Sequence, residues 1–379
     1  MNQDIRTKIA GFDFDGNLAK TKSGSKFCTG PTDWQFWQPC VPEALKKCYE
    51  DGYLVVIISN QMGISKGHIT ESAIMGEFDN FQKAVGIPID MYVATSEDGF
   101  RKPSCGLWEL LVEKSLKGTE PNLKESFYVG DAGGRPANSG QLDRKKDHSC
   151  SDRKFAINVG VDFYTPEEYF LKNPKAQFVI DGFDPRTLKE GAPMFTKPSV
   201  RKDGAGSVLD EGHIVRDASA GQEMVLLVGS PASGKSTFTK RFFLETGRYE
   251  HINRDTLKDM KKCAKAATAA LESGKSVVID NTNPKKADRA QFISIAKAKG
   301  VPVRVFWFQF TLPMVQHMNT YRERLLGVNA PHIPLIAIRM YFSKFEEPTL
   351  DEGVEEITEV NFSPKFDDER SKRLFYQLS

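Results

Sequence analysis

The sequence predicts an α/β protein of two domains, each built on a parallel sheet flanked by helices. Its 379 residues are too many for one ordinary core, because a domain averages about 150 residues. Short runs rich in Val, Ile, Phe and Tyr alternate with amphipathic stretches, which is typical of strands covered on both faces by helices. A Gly- and Pro-rich segment interrupts this alternation at residues 185–221. We therefore expect one α/β domain before that segment and a second one after it.

Four apolar runs in the first half are predicted strands. They are KIAGFDF at 8–14, YLVVIISN at 53–60, MYVAT at 91–95 and SFYVGD at 126–131. Three of these runs contain or end in polar residues that can do chemistry, namely Asp13, Ser59 with Asn60, and Asp131. In open α/β sheets ligands bind beyond the carboxyl ends of the strands. One crevice at that edge can therefore collect all of these side chains.

The second α/β series begins with EMVLLVGSPASGKST at 223–237. Its further predicted strands are HIN at 251–253, SVVIDN at 276–281 and PVRVFWFQF at 302–310. We place the first domain at residues 1–190, a linker at 191–221 and the second domain at 222–379. The two halves share a structural class but carry different motifs, so the pattern favours two domains over an internal repeat.

The composition is that of a globular chain. It is 40% hydrophobic and 27% charged, and it lacks an apolar run near the ~18 residues that a membrane span requires. The net charge is only +2, so any affinity for nucleic acid must come from local patches. The N-terminal MNQDIRTKIAGF has no apolar core of a secretory signal, which favours an intracellular compartment. The six cysteines show no C-x-x-C or zinc-finger spacing, and we expect reduced thiols.

A phosphate-binding loop is the strongest signal in the second half. The sequence fits G-x-x-x-x-G-K-[ST], with an apolar strand before it and a helical pattern after it. Backbone N–H groups of such a loop surround phosphates, its lysine reaches the β and γ oxygens, and its serine hydroxyl ligates Mg²⁺. We expect Mg²⁺ at Ser236 and ATP on the whole loop, which comprises Gly229, Ser230, Pro231, Ala232, Ser233, Gly234, Lys235, Ser236 and Thr237.

The stretch HINRDTL supplies a carboxylate, Asp255, that could lie near the hydroxyl group that receives the phosphate. Asp255 follows a short strand that we expect beside the P-loop strand, where it could accept the proton of an attacking hydroxyl. Equally, it could cap the helix that Thr256 begins, since Asp is a favoured N-cap. From the residues alone these two interpretations stay even.

Two further groups in the second half have an open interpretation. Asp280 and Asn283 lie at another strand end, where they could orient Mg²⁺ or a substrate sugar, or simply form the turn before a proline. Arg322 and Arg324 in NTYRERLLG are candidates for a lid that clamps the γ-phosphate of ATP. A solvated helix face is the more frequent fate of such a run.

Asp13 and Asp15 in GFDFDGNL are suited to covalent phosphoryl transfer. One carboxylate attacks phosphorus, while the other protonates the leaving oxygen and then activates water. Residues two apart in an extended segment project to the same side, so both can face one phosphate. A site with this much negative charge needs Mg²⁺ and a lysine to hold it together.

The rest of the first half can supply those groups. Lys102 in FRKPS could neutralise an aspartyl-phosphate, and Ser59 or Asn60 could bond a phosphoryl oxygen. Asp131 in YVGDAGGRPAN could complete a metal shell with the two aspartates of GFDFDGNL. Each of these residues alone could belong to a surface turn, but their order at successive strand ends favours one site.

These motifs resemble those of known phosphatases and kinases. DFDGNL, SNQ, RKP and VGD resemble motifs I to IV of the haloacid dehalogenase superfamily. Over nearly the whole chain, the sequence resembles the bifunctional polynucleotide kinase 3'-phosphatase family, through TGPTDW, NQMGI, VGDAGGRPAN, FDPRT, GSPASGKSTF, NRDTL, IDNTNP, HIP and EEPTLDEG. The resemblance implies a haloacid dehalogenase-like Rossmannoid phosphatase domain followed by a P-loop kinase domain with a parallel sheet.

The resemblance also implies roles for the candidate residues. Asp13 would be the nucleophile and Asp15 the general acid/base, with Asp131 holding Mg²⁺. Ser59 and Lys102 would bind phosphate, and Asn60 stays a further phosphate-binding candidate from the residues themselves. In the kinase half, Lys235 and Ser236 would bind ATP and Mg²⁺, and Asp255 would activate a 5'-hydroxyl.

The family acts on DNA strand ends, removing a 3'-phosphate and adding a 5'-phosphate so that a ligase can seal the break. The implied partners are therefore DNA ends, without a membrane partner, and the implied location is the nucleus, with mitochondria as a second possibility. We expect a monomer. Animal members usually begin with a forkhead-associated domain that binds scaffold proteins. This sequence begins directly at the phosphatase motifs, so we do not expect that mode of scaffold binding.

One position departs from the usual motif I, D-x-D-G-T, because Asn17 replaces the threonine. If threonine there mainly bonds the turn, asparagine can substitute, since its side chain also bonds nearby backbone. We expect phosphatase activity to survive at a reduced level.

Surface patches for nucleic acid are less clear. A basic set after Asp131 could contact backbone phosphates or form an ordinary solvated loop; it comprises Arg135, Arg144, Lys145, Lys146, Arg153 and Lys154. The aromatic residues Trp34, Phe36 and Trp37 could stack on a base, although packing under a loop is the more frequent role. Two alternative functions stay open: a small-molecule kinase fused to a phosphatase, and a strand-end scaffold with an impaired phosphatase.

Overall fold

A computed structural model of the chain describes residues 5–25, 28–139, 145–327, 330 and 333–379. The chain divides into two compact units, whose main boundary falls between Phe183 and Asp184. Each unit contains a β-sheet with flanking helices, as the sequence predicts. The functional boundaries 1–190, 191–221 and 222–379 stay a proposal.

The first sheet has five parallel strands in the order β5-β4-β1-β6-β7. The strands are β1 Ile9–Phe12, β4 Leu54–Asn60, β5 Asp90–Ala94, β6 Phe127–Val129 and β7 Asp162–Tyr164. Every residue of β1 is buried, because this strand lies at the centre of the sheet. Its register sets Phe12 opposite Ile57 on one side and Val129 on the other. The carboxyl ends of these three strands therefore meet at one edge of the sheet.

Helices cover both faces of this sheet. They are α1 Val41–Glu50, α2 Glu71–Val85, α3 Gly106–Lys114, α4 Ser151–Val159 and α5 Pro166–Phe170. Residues of α1, α2 and α5 share one apolar core with alternate residues of β1 and β4, including Phe12 and Ile57. Residues of α3 and α4 pack on the opposite face around Val56 and Tyr128. This two-sided burial explains why the strands read as continuous apolar runs.

A small antiparallel hairpin follows Asp15. Its strands are β2 Ala19–Thr21 and β3 Trp34–Phe36. Trp34, Phe36 and Trp37 pack against the apolar core that α1, α2 and α5 share. The Trp34 ring lies 5.5 Å from that of Phe81 on α2, and the Trp37 ring lies 6.0 Å from that of Phe170 on α5. The packing interpretation of these three aromatic residues is therefore confirmed.

The second sheet has six strands in the order β10-β11-β9-β12-β13-β8. They are β8 Val200–Arg201, β9 Met224–Val228, β10 Tyr249–Ile252, β11 Ser276–Ile279, β12 Val303–Phe308 and β13 Glu356–Val360. All pair in parallel except β8, which runs antiparallel to β13. The expectation that the HIN strand lies beside the P-loop strand is wrong. The fully buried β11 lies between them, and the half-buried β10 forms the edge.

The helices of the second unit are α6 Lys235–Phe242, α7 Arg254–Leu257, α8 Met260–Glu272, α9 Lys286–Ala298, α10 Leu312–Leu326, α11 Leu335–Lys344 and α12 Glu369–Tyr376. Short 3-10 helices occupy Pro185–Thr187, Glu211–His213, Ala218–Ala220, Leu244–Thr246 and Leu350–Glu352. Across the part of the chain that the structure describes, we find no helix with the length and apolarity of a membrane span.

Candidate active sites

The end of β1 directs Asp13 and Asp15 to one side. The Asp13 N–H donates to the carbonyl of Val129 at 2.8 Å, which holds the chain against β6 beyond the last strand residue. Phe14 points the other way and is fully buried, with its ring 4.6 Å from that of Phe78. Because alternate residues of an extended segment face opposite sides, burying Phe14 leaves both carboxylates toward the sheet edge.

Lys102 lies beside Asp13 and is almost completely buried. Its Nζ donates to Asp13 Oδ1 at 2.8 Å and to the Tyr128 hydroxyl at 2.7 Å, and it forms an ion pair with Asp152 Oδ1 at 2.8 Å. Burial acts to lower the pKa of Lys102, but the two carboxylates raise it above its usual value. The ammonium therefore stays charged in the interior.

Three carboxylates form a cluster that fits a divalent cation. Asp13, Asp131 and Asp152 each offer an oxygen, and these oxygens lie within 4.8 Å of one another. Burial raises the pKa of Asp13 to about 7, and burial together with Asp13 and Asp152 raises the pKa of Asp131 well above its usual range. Lys102 supplies one positive charge against three carboxylates, so this donor set of hard oxygens suits Mg²⁺.

Asp152 is the member of this cluster that the sequence reasoning missed. It lies in the first turn of α4, and its Oδ2 accepts from the Ala132 N–H at 3.0 Å. A Cβ on Gly130 would lie only 2.4 Å from that Asp152 oxygen. The glycine of VGD thus makes room for a carboxylate that approaches from a later helix, but the sequence does not say which carboxylate.

Three consecutive residues at the end of β4 reach different parts of the site. Ser59 is buried, and its Oγ accepts from Gln61 Nε2 at 3.0 Å. Asn60 instead pairs with the main chain of Lys102, donating to its carbonyl at 3.1 Å and accepting from its N–H at 3.0 Å. Asn60 therefore holds Lys102 in place, and its role in binding phosphate stays a proposal.

Asn17 is fully buried beneath the first site. Its Nδ2 donates to the Asp13 carbonyl at 2.8 Å and to the Val129 carbonyl at 3.1 Å. The side chain thus ties the ends of β1 and β6 together. A threonine hydroxyl has one hydrogen and could donate to only one of these carbonyls.

The basic set after Asp131 does not form a continuous surface. Arg135 is buried and paired with Asp147 at 2.8 Å and with Glu167 at 2.5 Å. Arg153 and Lys154 are also buried, whereas Lys145 and Lys146 are exposed. Arg144 lies outside the described residues. Neither the phosphate-contact nor the solvated-loop interpretation holds for the buried members, because their charges serve internal contacts.

The P-loop surrounds Lys235 with oxygen atoms. Its Nζ donates to the carbonyls of Gly229 at 3.0 Å and Ser230 at 2.6 Å. Burial lowers the pKa of Lys235 to about 8, although Asp280 and Asp255 act in the opposite direction. A Cβ on Gly229 would meet Ser233 Oγ at 2.8 Å, so glycine is needed for the tight loop.

Asp280 connects the P-loop to the neighbouring strands. One of its oxygens, Oδ2, accepts from Ser236 Oγ at 2.6 Å, from Asn253 Nδ2 at 3.1 Å and bonds His251 Nε2 at 2.9 Å. Burial would raise the pKa of Asp280, but the bonds from His251 and Ser236 hold it below its usual range. The ionised carboxylate of Asp280 and the hydroxyl of Ser236 together offer two oxygen ligands that suit Mg²⁺.

Asp255 does not cap a helix. The helix α7 begins at Arg254, and Asn253 is its N-cap, accepting from the N–H groups of Asp255 at 2.7 Å and Thr256 at 3.3 Å. The capping interpretation of Asp255 is therefore wrong. Its carboxylate is exposed and acts to raise the pKa of Lys235. The general-base interpretation therefore stays a proposal.

The other second-half candidates have mainly internal contacts. Asn283 is buried with a left-handed φ of 44°, and its Nδ2 donates to the Leu227 carbonyl at 2.8 Å. These contacts agree with the second alternative for Asn283, in which it forms the turn before Pro284. Arg322 donates to Asn319 Oδ1 at 2.9 Å, and Arg324 is buried on the same helix, α10. Their contact with ATP stays a proposal.

Two family models match the chain, one on each sheet. The model described as polynucleotide kinase 3 phosphatase matches residues 8–170, and an AAA domain model matches residues 224–348. Together with the two sites, they define the class of protein: a haloacid dehalogenase-type phosphatase followed by a P-loop kinase, as predicted.

Curated relatives narrow this class. A Schizosaccharomyces pombe protein described as a bifunctional polynucleotide phosphatase/kinase is 37% identical over 376 residues, which cover 98% of this chain and 83% of that protein. The polynucleotide 3'-phosphatase ZDP of Arabidopsis thaliana is 36% identical over 178 residues, covering 43% of this chain and 24% of that protein. The chain belongs to the bifunctional polynucleotide phosphatase/kinase family.

Proposed function

We propose that the chain processes DNA strand ends, removing a 3'-phosphate at the first site and transferring the γ-phosphate of ATP to a 5'-hydroxyl at the second. The observation that carries the proposal is that one chain holds two separate sites for phosphoryl transfer, with Asp13 beside Lys102 in one and Lys235 inside a P-loop in the other. The relative that matches nearly the whole chain is described as a bifunctional polynucleotide phosphatase/kinase, which supports the pairing of a phosphatase with a kinase.

At the first site, Asp13 attacks phosphorus while the bond from phosphorus to the 3'-oxygen breaks. Asp15 donates a proton to that oxygen, which leaves as a hydroxyl. Desolvation raises the pKa of Asp15, which suits a carboxyl group that must carry this proton. Asp15 then takes a proton from water, the water oxygen attacks phosphorus, and inorganic phosphate leaves Asp13.

Lys102 and Ser59 contact the phosphoryl oxygens during these steps. Asn60 would bind phosphate together with these two residues, and its amide also holds Lys102 by bonding the Lys102 main chain in both directions. The residues that would hold Mg²⁺ are Asp13, Asp131 and Asp152, whose oxygens form one cluster, and we keep Asp15 as a further proposed ligand. Bound Mg²⁺ would neutralise the charge of the phosphate and of these carboxylates.

At the second site, Asp255 takes the proton of the 5'-hydroxyl, whose oxygen attacks the γ-phosphorus of ATP as the bond to the β-phosphate oxygen breaks. Lys235 and the loop from Gly229 to Thr237 bind the phosphates. Ser236 and Asp280 would hold Mg²⁺ here. Arg322 and Arg324 would stabilise the charge that develops on the transferred group.

We infer action in the nucleus, since strand ends of genomic DNA are found there. A small-molecule kinase fused to a phosphatase is not favoured by the family, and neither is a scaffold with an impaired phosphatase. The salt dependence of turnover distinguishes a polynucleotide substrate from a small molecule. Turnover of an oligonucleotide weakens steeply as the salt concentration rises, while that of a small metabolite does not.

The test is a nicked duplex that carries a 3'-phosphate and a 5'-hydroxyl, incubated with the protein, ATP and Mg²⁺. We expect phosphate release, label transfer from γ-labelled ATP, and a nick that DNA ligase can then seal. Asp13→Ala should abolish the first product and Lys235→Ala the second. Phosphate release equal to that of Asp13→Ala would overturn the phosphatase assignment, and equal turnover of an RNA duplex would overturn the restriction to DNA.

A further inference from the structure

Gln61 bonds two groups of the phosphatase site. They are Asp15, the proposed proton donor to the 3'-oxygen, and Ser59, the proposed ligand of the phosphoryl oxygens. Gln61 follows β4 directly, and its N–H donates to the Ala94 carbonyl at 2.8 Å, which continues the pairing with β5. The side chain is 8% exposed. Its Nε2 lies 2.6 Å from Asp15 Oδ2 and 3.0 Å from Ser59 Oγ.

The chemistry of a primary amide makes this arrangement specific. The amide nitrogen carries two hydrogens, and here each hydrogen has its own acceptor. Ser59 Oγ accepts one of them, so its own hydroxyl hydrogen must point elsewhere and is available to a phosphoryl oxygen. Asp15 Oδ2 accepts the other, so the proton that Asp15 delivers is carried by Oδ1.

We propose that Gln61 is a positioning residue that aligns the general acid Asp15 and the phosphate-binding hydroxyl of Ser59 at the same time. Ser59 and Gln61 are two apart on an extended chain and face the same side, while Asn60 between them faces Lys102. The proposal rests on the proposed function, because it takes Asp15 as the proton donor to the 3'-oxygen.

A leaving group that needs no proton separates this role from a merely structural one. Two oligonucleotides are compared, one with an ordinary 3'-phosphate and one in which sulfur replaces the bridging 3'-oxygen. A thiolate leaves without protonation far more readily than an alkoxide, so loss of the general acid slows formation of the aspartyl-phosphate only from the oxygen substrate. The quantity compared is the ratio of the two kcat/KM values, because kcat/KM excludes the later hydrolysis of the aspartyl-phosphate, in which Asp15 acts as the base for both substrates. This ratio is independent of the fraction of folded enzyme.

The variants are Gln61→Met, which keeps the length of the side chain without its donors, and Gln61→Glu, which sets a carboxylate against Asp15. Asp15→Asn reports the full loss of the acid, and Ser59→Ala reports the loss of the hydroxyl. Gln82→Met, on the half-buried face of α2, is the matched control.

We expect Asp15→Asn to lower the oxygen-to-sulfur ratio by roughly 100-fold or more. Gln61→Met should lower it by roughly 10-fold, and Gln61→Glu by more. Ser59→Ala should slow both substrates alike, and Gln82→Met should change neither. The 5'-kinase activity of every variant should stay within about twofold of the parent, since general-acid losses of 10²–10⁴ belong to one site only.

The outcomes distinguish failure of the positioning role of Gln61 from failure of the proposed function. An unchanged ratio in Gln61→Met beside a lowered one in Asp15→Asn overturns the positioning role and leaves the proposed function intact. An equal loss of kcat/KM on both substrates in Gln61→Met also overturns it. An unchanged ratio in Asp15→Asn overturns the general-acid assignment, and the role of Gln61 with it.

Discussion

Each half of the chain buries a lysine at its proposed phosphate site, but the two lysines have opposite surroundings. Lys102 is 3% exposed and Lys235 is 7% exposed. Lys102 contacts the carboxylates of Asp13 and Asp152, which raise its pKa. Lys235 contacts neutral carbonyls, and burial lowers its pKa to about 8.

The difference follows from what each site must hold. In the proposed mechanism the first site attaches phosphate to its own carboxylate, so it gathers negative charge that a lysine and a cation would balance. The second site would receive ATP, whose phosphates bring the negative charge with them, and its lysine is held by loop carbonyls before ATP binds. Each lysine is thus matched to the charge that its substrate brings.

Removing one of the two lysines should have the largest effect, and it tests whether the two sites act independently. Lys235→Ala should abolish transfer from ATP to a 5'-hydroxyl, a loss of at least roughly 10³-fold, while 3'-phosphate release stays near normal. Label transfer and phosphate release on the same oligonucleotide measure both. The exposed Lys240 on α6 supplies the control, Lys240→Ala. Loss of both activities together would contradict two independent sites.

Asn253 tests how the kinase site holds its parts. Its Oδ1 caps α7, and its Nδ2 bonds Asp280. Asn253→Asp keeps a good cap but sets an oxygen against Asp280, so we expect a loss of kinase kcat of roughly 10-fold or more with little change in thermal stability.

Asn253→Ser is the companion variant, because serine also caps helices but removes the donor without adding a charge. It should lose less kinase activity than Asn253→Asp. Equal activity of the aspartate variant and the parent would show that the Asp280 bond does not matter.

The pH dependence of Mg²⁺ binding tests the charge of the first site. Burial raises the pKa of Asp13 from 3.8 to about 7, so without Mg²⁺ this group favours the folded state below about pH 4 and loses that contribution as pH rises through 7. Mg²⁺ would bind the ionised form of these carboxylates. It should therefore raise the melting temperature more at pH 8 than at pH 5.5, by a few degrees.

Asp152→Asn should shrink that increase, because it removes one carboxylate of the cluster. Thermal melts of the full chain with and without MgCl₂ measure the effect. An increase of the same size at both pH values would argue against a cation site made of titrating carboxylates.

Asn17 should give the smallest effect. Asn17→Thr replaces two donors with one, so we expect the loss of one hydrogen bond, about 1 kcal/mol in the free energy of unfolding, and less than about a threefold change in 3'-phosphatase turnover. Asn17→Ala, which removes both donors, should lose more stability. A large gain of turnover in Asn17→Thr would mean that asparagine distorts the site.

The sequence predicted those parts of the fold and site whose signals are local. The runs that became β1, β4 and β9 are apolar on both faces, and the P-loop has a fixed spacing. Shorter elements were missed because their signals are weak: β7 has three residues, and the two-residue β8 has hardly any pattern of its own.

Contacts between distant residues were the other limit. Asp152 reaches the site from the first turn of α4, and no spacing rule connects it with Asp13. Arg135 looked like part of a surface patch because arginines are mostly exposed. Its burial depends on Asp147 and Glu167, which only the fold brings together.

The short strand β8 has a practical consequence for anyone who divides the chain. It lies in the proposed linker, yet its residues Val200 and Arg201 pair with Ile357 and Glu356 of β13. A kinase fragment that starts at residue 222 would expose the backbone of β13 as an open sheet edge, which invites pairing with other chains. A fragment that starts at Asp184 would keep that edge covered.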